Sequence, residues 1–234
     1  MAVHLAGRGF EVAIHHCGSD PEEALGEIER LGRRGAALRA DLTEEAEAAA
    51  LLPRAAEALG GPVTCLVNSA SVFDRDDFAT ATRASWDAHM GVHLRAPFLA
   101  MQAMAAQGLA PGGVGEPVAA GLVVNLIDEK ALRVAPDFLT YTLSKTALWD
   151  LTRLAAQALA PAIRVNAIAP GPTIRAPRQR ESHFAAMRAG TPLGRGADPG
   201  EICAALAYLL DAPSVTGQAI AVDGGRHLAW PEAP

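Results

Sequence analysis

The stretch Gly121-Leu-Val-Val-Asn-Leu-Ile-Asp128, followed shortly by Phe138-Leu-Thr-Tyr141-Thr-Leu-Ser-Lys145, decides the fold. In Gly121–Ile127 apolar residues run on without the polar alternation of a one-sided sheet, so both faces of this strand are covered. The segment Phe138–Ala160 changes to helical spacing. It places Tyr141 and Lys145 at i and i+4, on one face. Working outward, apolar runs at Glu11–His16, Ala36–Ala40, Val63–Asn68, Ile163–Ala169 and Gln218–Val222 predict further strands. Helical stretches lie between them at Ala2–Arg8, Pro21–Gly35, Glu44–Gly60, Ser85–Gln107 and Pro199–Asp211. Thr43-Glu44-Glu45 reads as an N-cap followed by first-turn acids, and Pro161 stops the Phe138–Ala160 helix. Short apolar strands alternating with longer amphipathic helices predict an α/β fold, a doubly wound parallel sheet with helices on both faces.

Half of the 234 residues are hydrophobic and 20% are charged. That predicts a single domain over 1–234 and excludes collagen-like, disordered and coiled-coil chains. A net charge of −6 argues against a nucleic-acid partner or a basic membrane-binding face. No apolar run approaches the roughly 18 residues that span a bilayer. Met1–Phe10 lacks the basic start and long apolar core of a signal peptide, so a cytoplasmic protein is expected. Cys17, Cys65 and Cys203 are odd in number and far apart, which predicts three reduced core thiols. No metal site is expected, because His15, His16 and Cys17 alternate between the two faces of a strand. Of the 20 Lys and Arg, only Lys130 and Lys145 are lysine. Keeping one of them four residues after Tyr141 suggests a need for an ammonium group there.

In a doubly wound fold the first strand lies mid-sheet and feeds a glycine-rich turn whose N–H groups hold a pyrophosphate. This chain opens instead within a helix, and Gly7-Arg8-Gly9 reads as that helix's stop. Leaving a central strand out exposes ladder groups on both neighbours, and each buried unpaired group costs roughly 1–3 kcal/mol. The expectation is therefore a natural start about 15–20 residues upstream, one strand plus one turn, and weak or absent binding of a pyrophosphate-bearing cofactor by the chain as it stands. Gly108–Gly121 reads as a Gly/Pro-rich loop. Gly171–Gly200, rich in Pro, Gly and Arg, reads as a long loop suited to a lid.

Asp128 stands at the carboxyl end of its strand, where α/β folds place ligands. A tyrosine with a pKa near 10 is a poor acid or base at neutral pH unless a neighbour tunes it, and a cation one helical turn away can do so. Asp128 either supplies a further proton or caps a neighbouring loop.

Asn68-Ser-Ala-Ser71, Tyr141-Thr-Leu-Ser-Lys145, Arg164-Val-Asn166, Pro170-Gly171 and Asp223-Gly-Gly225, in this order, resemble the short-chain dehydrogenase/reductase family. The family's N-terminal T-G-x-x-x-G-x-G is absent. The resemblance implies a Rossmann-like fold apparently lacking its first strand, and NAD(P)(H)-dependent hydride transfer. In it Tyr141 is the acid/base, and Lys145 holds the nicotinamide ribose and lowers the tyrosine pKa. It further implies cofactor contacts at Asp41, Leu42, Asn68, Ala70, Pro170, Gly171 and Thr173. A homo-oligomer, dimer or tetramer, would pair through Ser85–Gln107 and Phe138–Ala160, with Ala147, Ala155 and Ala156 permitting close helix contact.

Two departures narrow the reading. Asp128 stands where most of the family has Ser, and His93 where most has Asn. Asp at that position is similar to the pteridine reductase and dihydromonapterin reductase branch. So are Ser71 and Phe73 as substrate contacts, the aromatic ring stacking on the pterin, and the ending Asp223-Gly-Gly-Arg-His-Leu228. A carboxylate repels a developing alkoxide. A ring imine nitrogen gains a proton as hydride adds next to it, and an Asp128 whose pKa is raised by burial suits that demand. Phe73 also fits an ordinary loop-packing role. His93 reads as a helix-interior residue holding a water or a backbone carbonyl, in preference to a proton relay. After Glu11–His16 no acid follows until Asp20, while His15, His16 and Ser19 offer donors, so NADP(H) is preferred over NAD(H), with His16 and Ser19 as its contacts. The combined expectation is an NADPH-dependent reductase of a pterin-like C=N small molecule. A carbonyl/hydroxyl oxidoreductase of the same family and a non-catalytic remnant of the fold stay open as alternatives.

Overall fold

All six residues of β4 (Gly121–Leu126) are buried, as its unbroken apolar run predicts. Leu122, Val124 and Leu126 face one layer of helices, packed with Leu5, Ile28, Leu206 and Leu209. Val123 faces the other, packed with Leu52, Met101, Met104, Ala155 and Ala156. Full burial of each such aliphatic side chain contributes about 1.5–3 kcal/mol, so this strand's sequence fixes two layers at once.

The computed structural model describes residues 1–176 and 179–228. Before β4 come α1 (Ala2–Gly7), β1 (Val12–His16), α2 (Glu22–Arg30), β2 (Gly35–Arg39), α3 (Glu45–Leu59) and β3 (Cys65–Asn68). They are followed by α4 (Arg83–Met90), a π-turn (Gly91–Arg95) and α5 (Ala96–Ala106). After β4 come α6 (Glu129–Leu132), α7 (Leu139–Ala158), β5 (Ile163–Pro170), α8 (Glu181–Ala189), α9 (Pro199–Asp211) and β6 (Ala219–Val222). Every pairing between these strands is parallel, in two sheets ordered β1-β2 and β3-β4-β5-β6. The sheet is thus divided between β1 and β3, where the sequence leads one to expect a central strand to be lacking. A cavity of about 620 Å³ lies there, lined by Val12, Ile14 and His16 on one side and Cys65, Val67 and Asn68 on the other.

The six strands fall where the sequence predicts them, and the helices differ in instructive ways. Helix α2 ends at Arg30, because Gly32 takes a positive φ of 71° and Gly35 already belongs to β2. The single helix expected over Ser85–Gln107 is instead α4, the π-turn and α5. Pro97 has no N–H for the carbonyl of His93, so the ladder widens there. Its start is Thr82, in a capping box with Ser85. Thr43 does not cap α3; its hydroxyl and N–H both go to Asp41. The segment expected as one long loop, Gly171–Gly200, contains α8. Arg188 ties it down through Pro172 O (3.0 Å), Ala197 O (2.6 Å) and Asp198 Oδ1 (2.8 Å). Cys17 is exposed, not in the core, whereas Cys65 and Cys203 are partly buried. Ala155 and Ala156 pack inward on the sheet, so they cannot mediate contact with another subunit. Among the described residues, no helix is long and apolar enough to cross a membrane.

Candidate active site

β4 ends at Leu126, and two residues later Asp128 leaves the sheet in an extended conformation. Asp128 caps α6, its Oδ1 accepting from Lys130 N at 2.9 Å. Its other oxygen accepts from the Tyr141 hydroxyl at 2.8 Å, so the cap and the functional contact coexist. One turn along α7, the Lys145 ammonium lies 5.8 Å from the Tyr141 ring centroid and donates to Leu126 O at 2.8 Å. The ends of β4 and α7 therefore bring phenol, amine and carboxyl group together. Tyr141 and Lys145 are almost wholly buried.

Burial decides the electrostatics. It pushes the Asp128 carboxyl above the usual carboxylate range, against the opposing pull of Lys130 N, Tyr141 and Lys145. Burial also raises the Tyr141 phenol well above its ordinary value, and Asp128 adds to that shift. The expected lowering of the tyrosine by Lys145 does not prevail; the phenol stays protonated and donates. The Lys145 ammonium is itself pushed down to about 8 by burial. A high-pKa phenol sharing a hydrogen bond with a high-pKa carboxyl group is an arrangement for giving protons.

Of the other expected site residues, His16, Ser19, Leu42, Asn68, Ala70, Ser71 and Lys145 all line the cavity between β1 and β3. Asn68 is fixed by its Nδ2 donating to Asn125 Oδ1 at 2.8 Å, and Asn125 in turn donates to Thr152 Oγ1 at 2.9 Å. Asp41 does not line that cavity, because its carboxylate is held by Thr43 N and Thr43 Oγ1 at 2.9 and 2.7 Å. Pro170, the last residue of β5, and Gly171 and Thr173 just beyond it also lie outside the lining. A Cβ at Gly171 would stand only 2.7 Å from Asp223 Cα, so glycine permits that close approach.

The donor set fits a nicotinamide dinucleotide carrying a 2′-phosphate. His16 Nδ1 is buried on the cavity wall without a partner. Asp20, the first acid after His16 in the sequence, is outside the cavity lining and accepts from Glu22 N at 2.9 Å. Lys145 spends one of its three N–H groups on Leu126 O.

Phe73 stacks on Phe138, with centroids 4.4 Å apart and planes 9° from parallel, and meets Tyr141 edge-on at 4.8 Å. Phe138 holds a positive φ of 54° directly before α7. Sequence reasoning passes over it because nothing in a lone Phe marks stacking. It also passes over His89, although the spacing His89-x-x-x-His93 was there to be read. Both imidazoles are fully buried and stacked 5.7 Å apart. His93 holds backbone as expected, but an N–H and not a carbonyl: Val72 N donates to its Nε2 at 3.0 Å. The Ser71 hydroxyl is 3.0 Å from that same nitrogen, and Ser71 tempers the rise of the Tyr141 phenol pKa. Behind the site, Arg226 donates to the buried Glu129 at 3.0 Å, joining the C-terminal turn to the loop that carries Asp128.

Comparison with known proteins agrees with this geometry. The family model described as enoyl-(acyl carrier protein) reductase matches residues 1–227. Crystal structures described as FolM alternative dihydrofolate reductase 1, each in complex with NADP, come from Brucella canis and Brucella suis. Both are 40% identical to this chain and cover all of it, with 91% and 92% of their own chains matched and TM-scores of 0.87 and 0.89. The 2-dehydro-3-deoxy-D-gluconate 5-dehydrogenase of Escherichia coli K12 is 31% identical over 96% of this chain and 88% of its own length.

Glu129 supplies a stability prediction. Burial and the neighbouring Asp128 raise its pKa, while Arg226 lowers it. A carboxyl group whose folded pKa is raised binds more protons folded than unfolded, so stability falls as pH rises through that window. Arg226→Ala removes the restraining cation and should cost roughly 1–3 kcal/mol, more at pH 8 than at pH 5. Urea unfolding at the two pH values measures both the loss and its pH dependence.

Proposed function

The chain belongs to the short-chain dehydrogenase/reductase family, and from that premise we propose that it is an NADPH-dependent reductase of pterin-like C=N bonds. The observation that carries this reading is the 2.8 Å hydrogen bond between Tyr141 and Asp128 at the carboxyl edge of the sheet. The likeness to the dihydrofolate reductase structures supports it, as does the aromatic ring of Phe73 beside Tyr141.

When bound, the cofactor would supply hydride to the carbon of the C=N bond. His16 and Ser19 would hold its 2′-phosphate end, with Leu42, Asn68 and Ala70 along the cavity and Lys145 at the nicotinamide ribose. The imine nitrogen needs one proton as hydride arrives. With Asp128 in its acid form the shared hydrogen bond runs from the carboxyl to the phenol oxygen, so Tyr141 gives its hydroxyl proton to the imine nitrogen and takes the Asp128 proton in its place, leaving Asp128 as carboxylate. The raised Asp128 pKa keeps that proton available, and positioned acids of this kind contribute about 10²–10⁴-fold to rate. Phe73 provides a flat surface for a conjugated ring, and Ser71 a hydroxyl beside the phenol.

A second reading, carbonyl/hydroxyl oxidoreduction, is favoured by the likeness to the gluconate-type dehydrogenase. We place the protein in the cytoplasm as a homo-oligomer. Its contact surface would run over the outward Leu143 and Leu154 of α7 and the groove formed by Met90, Leu94, Phe98 and Leu151. Sedimentation at micromolar concentration should give a dimer or tetramer; a monomer contradicts the assembly.

Assays following NADPH oxidation with 7,8-dihydrofolate, 7,8-dihydrobiopterin and acetoin test the substrate class. The dihydropterins should turn over and acetoin should not. Asp128→Ser should lower dihydropterin turnover by about 10²-fold or more. Wild-type turnover should fall as pH rises through the raised Asp128 pKa, because the acid form is the one used. Ketone turnover that persists or rises in Asp128→Ser, without dihydropterin activity in the wild type, transfers the assignment to carbonyl reduction. For the dinucleotide, the cavity wall offers contacts at the adenosine and nicotinamide ends, and its described lining includes no glycine-rich turn for the pyrophosphate. NADPH fluorescence titration should give a dissociation constant weaker than about 1 μM; tighter binding contradicts this account of the pyrophosphate contact.

A further inference from the structure

His89 and His93 lie one turn apart and repeat one pattern of hydrogen bonds. Asp74 N donates to His89 Nε2 at 3.4 Å, and Val72 N donates to His93 Nε2 at 3.0 Å. On the opposite edge of each ring, Nδ1 lies 2.7 Å from Thr140 Oγ1 in His89 and 2.8 Å from Ser144 Oγ in His93. A backbone N–H can only donate, so each Nε2 carries the lone pair and each Nδ1 the proton. The hydroxyls are directed accordingly. Thr140 Oγ1 donates onward to Asp76 Oδ2 at 2.5 Å, and Ser144 Oγ to Tyr141 O at 2.7 Å. Both rings are fully buried, and burial holds both below their ordinary pKa, His93 at about 2.

The placement of the partners gives the pattern its meaning. Thr140 and Ser144 immediately precede Tyr141 and Lys145 on α7, and Val72 and Asp74 flank Phe73. Each imidazole therefore spans from the helix bearing the phenol and amine to the loop bearing Ser71 and Phe73. We propose that His89 and His93 form a neutral two-rung clamp that sets the distance between the substrate-facing loop 71–74 and helix α7. They are positioning residues that govern substrate affinity and carry no proton in the reaction. The substrate half of this statement rests on the reading of Phe73 and Ser71 as substrate contacts; the clamp itself does not.

Imidazole suits the task because its two nitrogens reach in opposite directions. Asparagine can replace the Nδ1 donor toward Ser144 but is too short to reach Val72 N–H. Glutamine reaches Val72 N–H with its carbonyl but loses the donor to Ser144. His93→Asn and His93→Gln thus separate the two contacts.

Amide exchange of Val72 and Asp74, followed by NMR on the whole protein, reads the clamp directly. His93→Asn should speed exchange at Val72 by about tenfold, the worth of one hydrogen bond. His93→Gln should leave it within about threefold, and Asp74 should respond chiefly to His89→Asn. With 7,8-dihydrofolate and NADPH, His93→Asn should raise the dihydrofolate KM about tenfold while kcat changes less than about threefold, and His93→Gln should restore much of the KM. Imidazole ¹⁵N shifts of the wild type should place the proton of both rings on Nδ1 at pH 7, a reading that needs no folded variant. Unchanged Val72 exchange in His93→Asn, a proton on Nε2, or a fall in kcat at constant KM would each overturn the clamp. If no dihydropterin is turned over while the exchange and tautomer results hold, the substrate reading fails and the clamp stands.

Discussion

A single hydrogen bond, from the Tyr141 hydroxyl to Asp128, organises the site, and much of the fold exists to make it possible. The carboxyl group must emerge at the edge of the sheet yet remain out of water. β4 accomplishes this by being buried on both faces up to the residue before the turn. The phenol must arrive from the next long helix, which α7 provides through its packing on α4 and the π-turn. Each pKa unit of displacement is worth about 1.4 kcal/mol, so an unpartnered carboxylate at this depth would be strongly disfavoured. Accepting from the phenol and from Lys130 N makes the position tolerable, while burial pulls the other way and keeps the acid form near at hand.

The division of the sheet separates two tasks. β3, β4, β5 and β6 form one unit that carries Asp128, Tyr141, Lys145, the Asn68–Asn125–Thr152 chain and the Asp223 turn. β1 and β2 carry His16 and Ser19 on the far side of the cavity. Proton chemistry is thus built into a continuous sheet, while the groups assigned to the 2′-phosphate stand across a gap. The proton-giving geometry is complete within the larger unit. On the proposed reading the dinucleotide contacts would draw on both units.

Strands were legible because burial on both faces leaves an unbroken apolar run, as in Gly121–Ile127 and Ile163–Ala169. The Tyr141–Lys145 pair was legible because helical spacing alone puts them together. The interruption of the helix after Met90 was not read, although Pro97 holds its cause. Short α6 and α8 were not read because neither carries a long periodic pattern: α6 is one turn hung on the Asp128 cap, and α8 is held by the contacts of its Arg188 with Pro172, Ala197 and Asp198 outside the helix. The inward turn of Ala155 and Ala156 was hidden, since small residues fit a subunit contact and a sheet contact alike. His89 and Phe138 escaped because their roles depend on loop 71–74, whose path no periodicity announces. The departures from a simple pattern thus gather around the site, where polar groups are buried for function.

The measurement that bears most directly on the central claim is the titration of Asp128 itself, by ¹³C NMR of the labelled carboxyl group in wild type and in Tyr141→Phe. The account predicts an Asp128 pKa above the usual carboxylate range, rising further when the phenol donor is removed. An Asp128 that titrates at an ordinary carboxylate value, or that ignores the loss of Tyr141, would contradict it.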